Sequence, residues 1–166
     1  MILTDVVAAV GGLPEVAQWR GDLPAGGGTL GVTPGVEPFV LAGLRTPVVA
    51  VTATGRQAEE LRDALHDLAR TAEVFPAWET LPHERLSPSA DTVGRRMAVI
   101  AGIGSGDLPD VLLVPIRALM QPFAADLADE RPLVLSPGDE PGFDTVIESL
   151  VRAGYERVPM VERRGQ

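Results

Sequence analysis

The 166-residue chain contains no lysine: all 14 of its basic residues are arginine. A Walker A loop holds the β- and γ-phosphates of ATP with a lysine ammonium, so no intact P-loop exists in this sequence. Cysteine is also absent, which removes disulfide frameworks and thiolate metal sites together. No apolar run approaches the ~18 residues of a membrane-spanning helix. The segment Met1–Val10 carries Asp5 and lacks the basic flank and small-residue cleavage site of a secretory signal. The expectation is a cytoplasmic protein with no membrane partner.

What is present is apolar enough to build a core: 45% hydrophobic residues and a mean hydropathy of +0.15. The net charge of −9 argues against a nucleic-acid surface, because affinity for DNA depends on neutralising phosphates. That charge is uneven. Up to Glu130 there are 17 acids against 9 arginines, and from Arg131 onward 6 acids against 5. Such a split suggests two units with different partners.

Along the chain, residues 1–30 are rich in glycine and proline and read as a loosely ordered lead-in with one short helix. Thr29–Thr33 reads as a short strand and Val36–Leu44 as a helix. The β-branched run Pro47–Thr52 has the character of a strand buried on both faces. Ala58, Leu61, Leu65 and Leu68 recur at helical spacing opposite charged positions. A short strand follows at Ala72–Phe75, then a long loop, Pro76–Ala90. A second helix is expected to start at Asp91, a good N-cap, and a buried strand at Asp110–Val114. Strand, helix, strand, helix, strand is the pattern of an α/β fold with a parallel sheet. Past residue 130 the sequence predicts a strand at Leu133–Leu135. A helix with an apolar stripe follows (Phe143, Val146, Ile147, Leu150, Val151), supported by a Glu148–Arg152 pair and ended by Gly154. Arg157–Glu162 then alternates like an edge strand. The division expected is 1–30, 31–130 and 131–166, the last being the start of a small α+β domain.

The candidate chemistry is sparse. The strand–turn–helix at Val51–Gln57 occupies the place of a P-loop, but Ala50, Arg56 and Gln57 stand at three of its four defining positions and only Gly55 agrees. Arginine cannot replace the compact lysine ligand. Ser105 in Gly102–Gly106 (G-I-G-S-G) lacks the spacing of a nucleophile elbow. His66 and His83 have no partner at ligand spacing, and the carboxylates read as solvated helix faces. Trp78 is expected to pack the long loop onto the sheet, and Arg95 and Arg96 to form a solvated helix face. No catalytic residue, cofactor or metal is expected in this chain.

The long loop and the helix after it carry a specific pattern. It runs F-P-A-W-E-T-L-P-H-E-R-L-S-P at Phe75–Pro88, then D-T-V-G-R-R at Asp91–Arg96. With Val48–Arg56, Val114–Pro122 and Ala153–Gly165, it resembles the transcription-repair coupling factors, in the form found in actinobacteria. The resemblance is collinear from about residue 30 to the end. It implies an amino-terminal region similar to the excision-repair helicase UvrB: a helicase-like α/β domain stripped of ATPase motifs, then a small domain that docks UvrA. Tyr155-Glu156-Arg157 matches the family's Y-E-R, which assigns Arg157 as a UvrA contact. The neighbouring contacts lie in an F-x-V-R-G-G strand that would follow Gln166, so 131–166 is expected to be a truncated part of the docking domain. The resemblance implies that ATP and magnesium serve a motor elsewhere in the parent protein, an ATP-dependent DNA translocase. RNA polymerase and DNA are met only through modules absent from these residues. It also implies an autoinhibited resting state in which this region is held against the parent's carboxy-terminal domains; a hand in that contact is the alternative to the solvated face for Arg95 and Arg96. The alternative expectation is a UvrB-related or small nucleotide-binding α/β enzyme with a degenerate P-loop.

Overall fold

A computed structural model describes residues 3–80, 87–123, 133–152, 155 and 157–160. The elements are α1 (Leu3–Gly11), α2 (Pro14–Asp22), α3 (Glu37–Ala42), β1 (Val48–Thr52), α4 (Gly55–Asp67), β2 (Ala72–Val74), α5 (Ala90–Ser105), β3 (Val111–Pro115), α6 (Ile116–Leu119) and α7 (Phe143–Arg152). The three strands form one parallel sheet in the order β1-β3-β2. The mixed α/β expectation is met at this level.

The connections explain the layering. From β1 the chain passes through α4 to β2 at the far edge, then back through α5 to β3 in the centre. Parallel crossovers keep one hand, so reversing direction along the sheet sends the second helix to the opposite face. Accordingly, Ala58 and Leu65 from α4, and Leu68 just after it, pack with Val111, Leu113, Ala72 and Val74 on one face. Ile100 from α5 packs with Val114, Phe75 and Ala118 on the other. The stripe read from the sequence is the buried face of α4, with Leu61 half-buried at its margin.

The register also corrects one expectation. Val49 and Val51 stand opposite Leu112 and Val114, hence on the α5 face, yet they are 62% and 53% exposed. The helix covers β3 but does not reach the edge strand. The run Val48–Thr52 is therefore buried on one face only. Residues from both faces of this edge strand line a broad groove of about 1010 Å³ together with Trp19, Leu30 and Leu41.

The amino-terminal segment holds two helices where the sequence suggests one. Val7 of α1 packs against the α4-side core, and Val16 of α2 is buried. The Trp19 indole donates to the Gly28 carbonyl at 3.0 Å. Thr29–Thr33 is not a strand. The carboxy-terminal strands at Leu133–Leu135 and Arg157–Met160 are likewise absent, and 161–162 lie outside the described residues. Short apolar or alternating runs become strands only where a neighbour offers a ladder, and none does here among the described residues. No residue of α7 is buried, and Glu148 and Arg152 make no ion pair. The amide of Tyr155 donates to the Leu150 carbonyl at 3.0 Å, the six-to-one bond of a Schellman ending. Gly154, the expected stop, lies outside the described residues. No described helix is long and apolar enough to cross a membrane.

Candidate functional site: a capped β1–α4 junction, a loop clamp and Arg157

Where a P-loop would stand, the helix amino terminus is closed by its own side chains. Thr54 is the N-cap, its hydroxyl accepting the Gln57 amide at 3.1 Å. The Gln57 side chain reaches back to accept the Ala53 amide at 3.1 Å. This is a variant of the capping box, T-x-x-Q, legible in the sequence at Thr54–Gln57. Thr52 donates to the Thr54 carbonyl at 3.0 Å and stiffens the turn. Two of the amides that a phosphate would use are thus committed. Arg56 points along the helix to Glu60, 2.8 Å away, and is well exposed. That side-chain hydrogen bond, with the charge of Glu60, raises the guanidinium pKa above its ordinary value.

The long loop after β2 is clamped from three directions. Arg96, expected on a solvated face, is fully buried and is the largest fully buried side chain among the described residues. Its guanidinium lies 4.1 Å above the Phe75 ring and 4.3 Å from the centre of the Trp78 ring. Nη1 donates to the Pro76 carbonyl at 2.7 Å. Each cation–π contact contributes about 0.5–2 kcal/mol, and a hydrogen bond from a charged donor about 1.5–3 kcal/mol. Burial pushes the guanidinium pKa down from its ordinary value, but arginine keeps its charge. Gln121, just past α6, forms the second fastening: its Oε1 accepts the Trp78 amide at 2.8 Å and its Nε2 donates to the Trp78 carbonyl at 3.4 Å. Trp78 therefore anchors the loop, as its place in the sequence suggests.

Glu79 is the third fastening. It accepts from the Thr92 hydroxyl and, at 2.7 Å, from the Ser89 hydroxyl. Ser89, not Asp91, caps α5: its Oγ accepts the Thr92 amide at 3.2 Å. The two serine and threonine hydroxyls, with the Ser89 amide, draw the Glu79 carboxyl down to about 2 from 4.5. A carboxylate so depressed stabilises the fold fully above its ordinary pKa, and that contribution is lost as pH falls through the folded value. The melting temperature is therefore expected to be flat on this account above pH 5 and to fall between pH 4.5 and 2. Glu79→Gln should remove that part of the descent. Identical profiles for parent and variant would show that the fastening is idle.

Arg95 pairs with Glu59 of α4 at 2.8 Å, and the same carboxylate meets Arg62 at 2.5 Å. Neither Arg95 nor Arg96 is therefore the freely solvated group the sequence suggests. The G-I-G-S-G segment is structural. A Cβ on Gly102 would stand 2.8 Å from the Asp107 carbonyl oxygen, and Gly106 closes α5 at φ 77°. The His66 imidazole Nε2 meets the Ala72 carbonyl at 3.1 Å and the Ala72 amide at 3.4 Å, pinning the start of β2. His83 lies outside the described residues. Among the described residues no three His, Asp or Glu side chains converge as metal ligands.

Arg157 is exposed, two residues beyond the Tyr155 that closes α7, and carries no hydrogen bond or ion pair among the described residues. It stands in irregular backbone rather than at the start of a strand. The structure does not bring it together with the capped junction or the clamp.

No family model matches the chain. Several curated proteins do. The transcription-repair-coupling factor of Mycobacterium tuberculosis is 42% identical over 127 residues, 72% of this chain and 10% of that protein. Those of Myxococcus xanthus and Escherichia coli are 32% identical over 178 residues and 28% over 122, covering 98% and 72% of this chain and 15% and 10% of theirs. The chain spans about a tenth of the length of the curated relatives it matches. With identity at this level over most of its length, the chain belongs to the transcription-repair-coupling factors, consistent with their actinobacterial type.

Proposed function

We propose that this chain is a non-catalytic interaction module, similar to a helicase domain without its ATPase motifs, through which a transcription-repair-coupling factor recruits UvrA to damage at a stalled RNA polymerase. The observation that carries the reading is the sequence relation to those factors, joined to a β1–α4 junction whose amides are held by Thr54 and Gln57. DNA translocation, ATP, magnesium and the polymerase contact belong to other parts of the whole protein. Residues 131–166 form the start of the docking unit, and Arg157 is its contact. An exposed guanidinium presents a planar fork that a partner carboxylate can meet with two charge-assisted hydrogen bonds.

The test is calorimetry of UvrA against a full-length coupling factor carrying this sequence. Arg157→Ala is expected to weaken binding at least tenfold, about 1.4 kcal/mol, with the melting temperature almost unchanged because the side chain is exposed. Arg157→Lys should recover only part, since the fork is gone. Equal affinity for parent and Arg157→Ala would place the contact elsewhere.

The competing reading, a nucleotide-binding α/β enzyme, makes an opposite prediction. A ligand at 100 times its Kd raises stability by about 2.7 kcal/mol. Addition of ATP and magnesium is expected to leave the melting temperature of the chain unmoved, and a saturable rise lost on changing Arg56 would reverse the assignment.

A further inference from the structure

We propose that the remaining edge of the Arg96 guanidinium is an oxyanion-binding position, suited to a carboxylate or a phosphate-sized group. Two aromatic rings lie against this guanidinium, at 4.1 Å and 4.3 Å, and its N–H donors lie in its own plane. Nη1 is used by the Pro76 carbonyl. Nε and Nη2 are buried and have no hydrogen-bond acceptor among the described residues. These two are the parallel donors of the side-on fork, the pair that meets two oxygens of a single carboxylate or phosphate. A neutral acceptor would satisfy the donors and leave the buried charge uncompensated; an oxyanion answers both.

No carboxylate of the described residues forms an ion pair with Arg96. Glu79 is taken by Ser89 and Thr92, and Glu59 by Arg62 and Arg95.

The oxyanion has two sources, free anion from solution or a protein side chain. The Arg96 Nε–H resonance, assigned in the parent chain through its contacts to the Phe75 and Trp78 rings, distinguishes them. In chloride at constant ionic strength, addition of inorganic phosphate or formate is expected to move this resonance downfield saturably and to slow its exchange with water. A resonance already downfield and protected in chloride, and released as pH falls through the carboxylate range, identifies a side-chain carboxylate on the same fork. An unshifted, fast-exchanging Nε–H indifferent to phosphate, formate and pH overturns the proposal. Arg96→Lys keeps the charge and loses the fork, and should lose any phosphate-dependent rise in melting temperature. A rise of equal size in that variant would mark general salt stabilisation and would also overturn it.

Discussion

Replacing Leu113 by alanine is expected to lower the stability of the fold by about 2–5 kcal/mol, the range for a fully buried leucine whose surroundings cannot collapse. Leu113 is completely enclosed. It lies in the central strand, opposite Ala50 of β1 and Val74 of β2, and packs under Leu65 and Leu68. Neighbours fixed on both sides by strand pairing have little freedom to close the space. A small domain has about 5–15 kcal/mol in all, so the urea midpoint should drop sharply with an unchanged slope. Val49→Ala, one strand away on the uncovered face, should stay within about 0.5 kcal/mol. Similar losses at the two positions would show that the α5 face of β1 is covered.

Arg96→Ala is expected to cost about 3 kcal/mol, by combining loss of a large, fully enclosed side chain with loss of the donor to the Pro76 carbonyl. Two further variants separate volume from charge. Arg96→Met restores most of the volume between Phe75 and Trp78 and removes the charge; replacing a buried charge by a well-packed apolar group is often neutral. Arg96→Lys keeps the charge and gives up the flat surface that stacks on both rings. If volume governs, methionine recovers more than lysine. Denaturation with Trp78 fluorescence as the local signal reads the ranking, and lysine outperforming methionine would assign the position to charge.

These two side chains mark the reach of the sequence. Leu113 stands in a run of five apolar residues, Val111–Pro115, and any periodicity reading buries it. Arg96 follows Arg95 in α5, and its charge argues for water. It is interior because two aromatic residues, 18 and 21 positions earlier, come alongside α5. The loop between them is fastened by Gln121, 43 residues after Trp78. Local pattern cannot report such partners. The same limit explains β1: its composition speaks of burial, but whether both faces are covered depends on how far α5 reaches. The errors beyond residue 130 run the other way. Leu133–Leu135 and Arg157–Met160 have strand-like composition and no strand beside them among the described residues. Ser89 and Asp91 are both good caps two residues apart, and Glu79, ten positions before Ser89, accepts from the serine. Arg157 owes its selection to family resemblance alone, since an exposed arginine in irregular backbone carries no local signal.

The strand order has a consequence for how the chain acquires its shape during synthesis. β1 and β2 are neighbours in the sequence but never touch in the sheet, because β3 lies between them. Val48 must wait for Val111, 63 positions later, and Ala72 for the same residue, 39 positions later. Until that last strand has left the ribosome no rung of the ladder can form, and two apolar strands and their helices must persist without it. Pairings of such long sequence separation form slowly, and unpaired strand edges expose a growing chain to aggregation meanwhile. The central strand is thus also the closing event of folding.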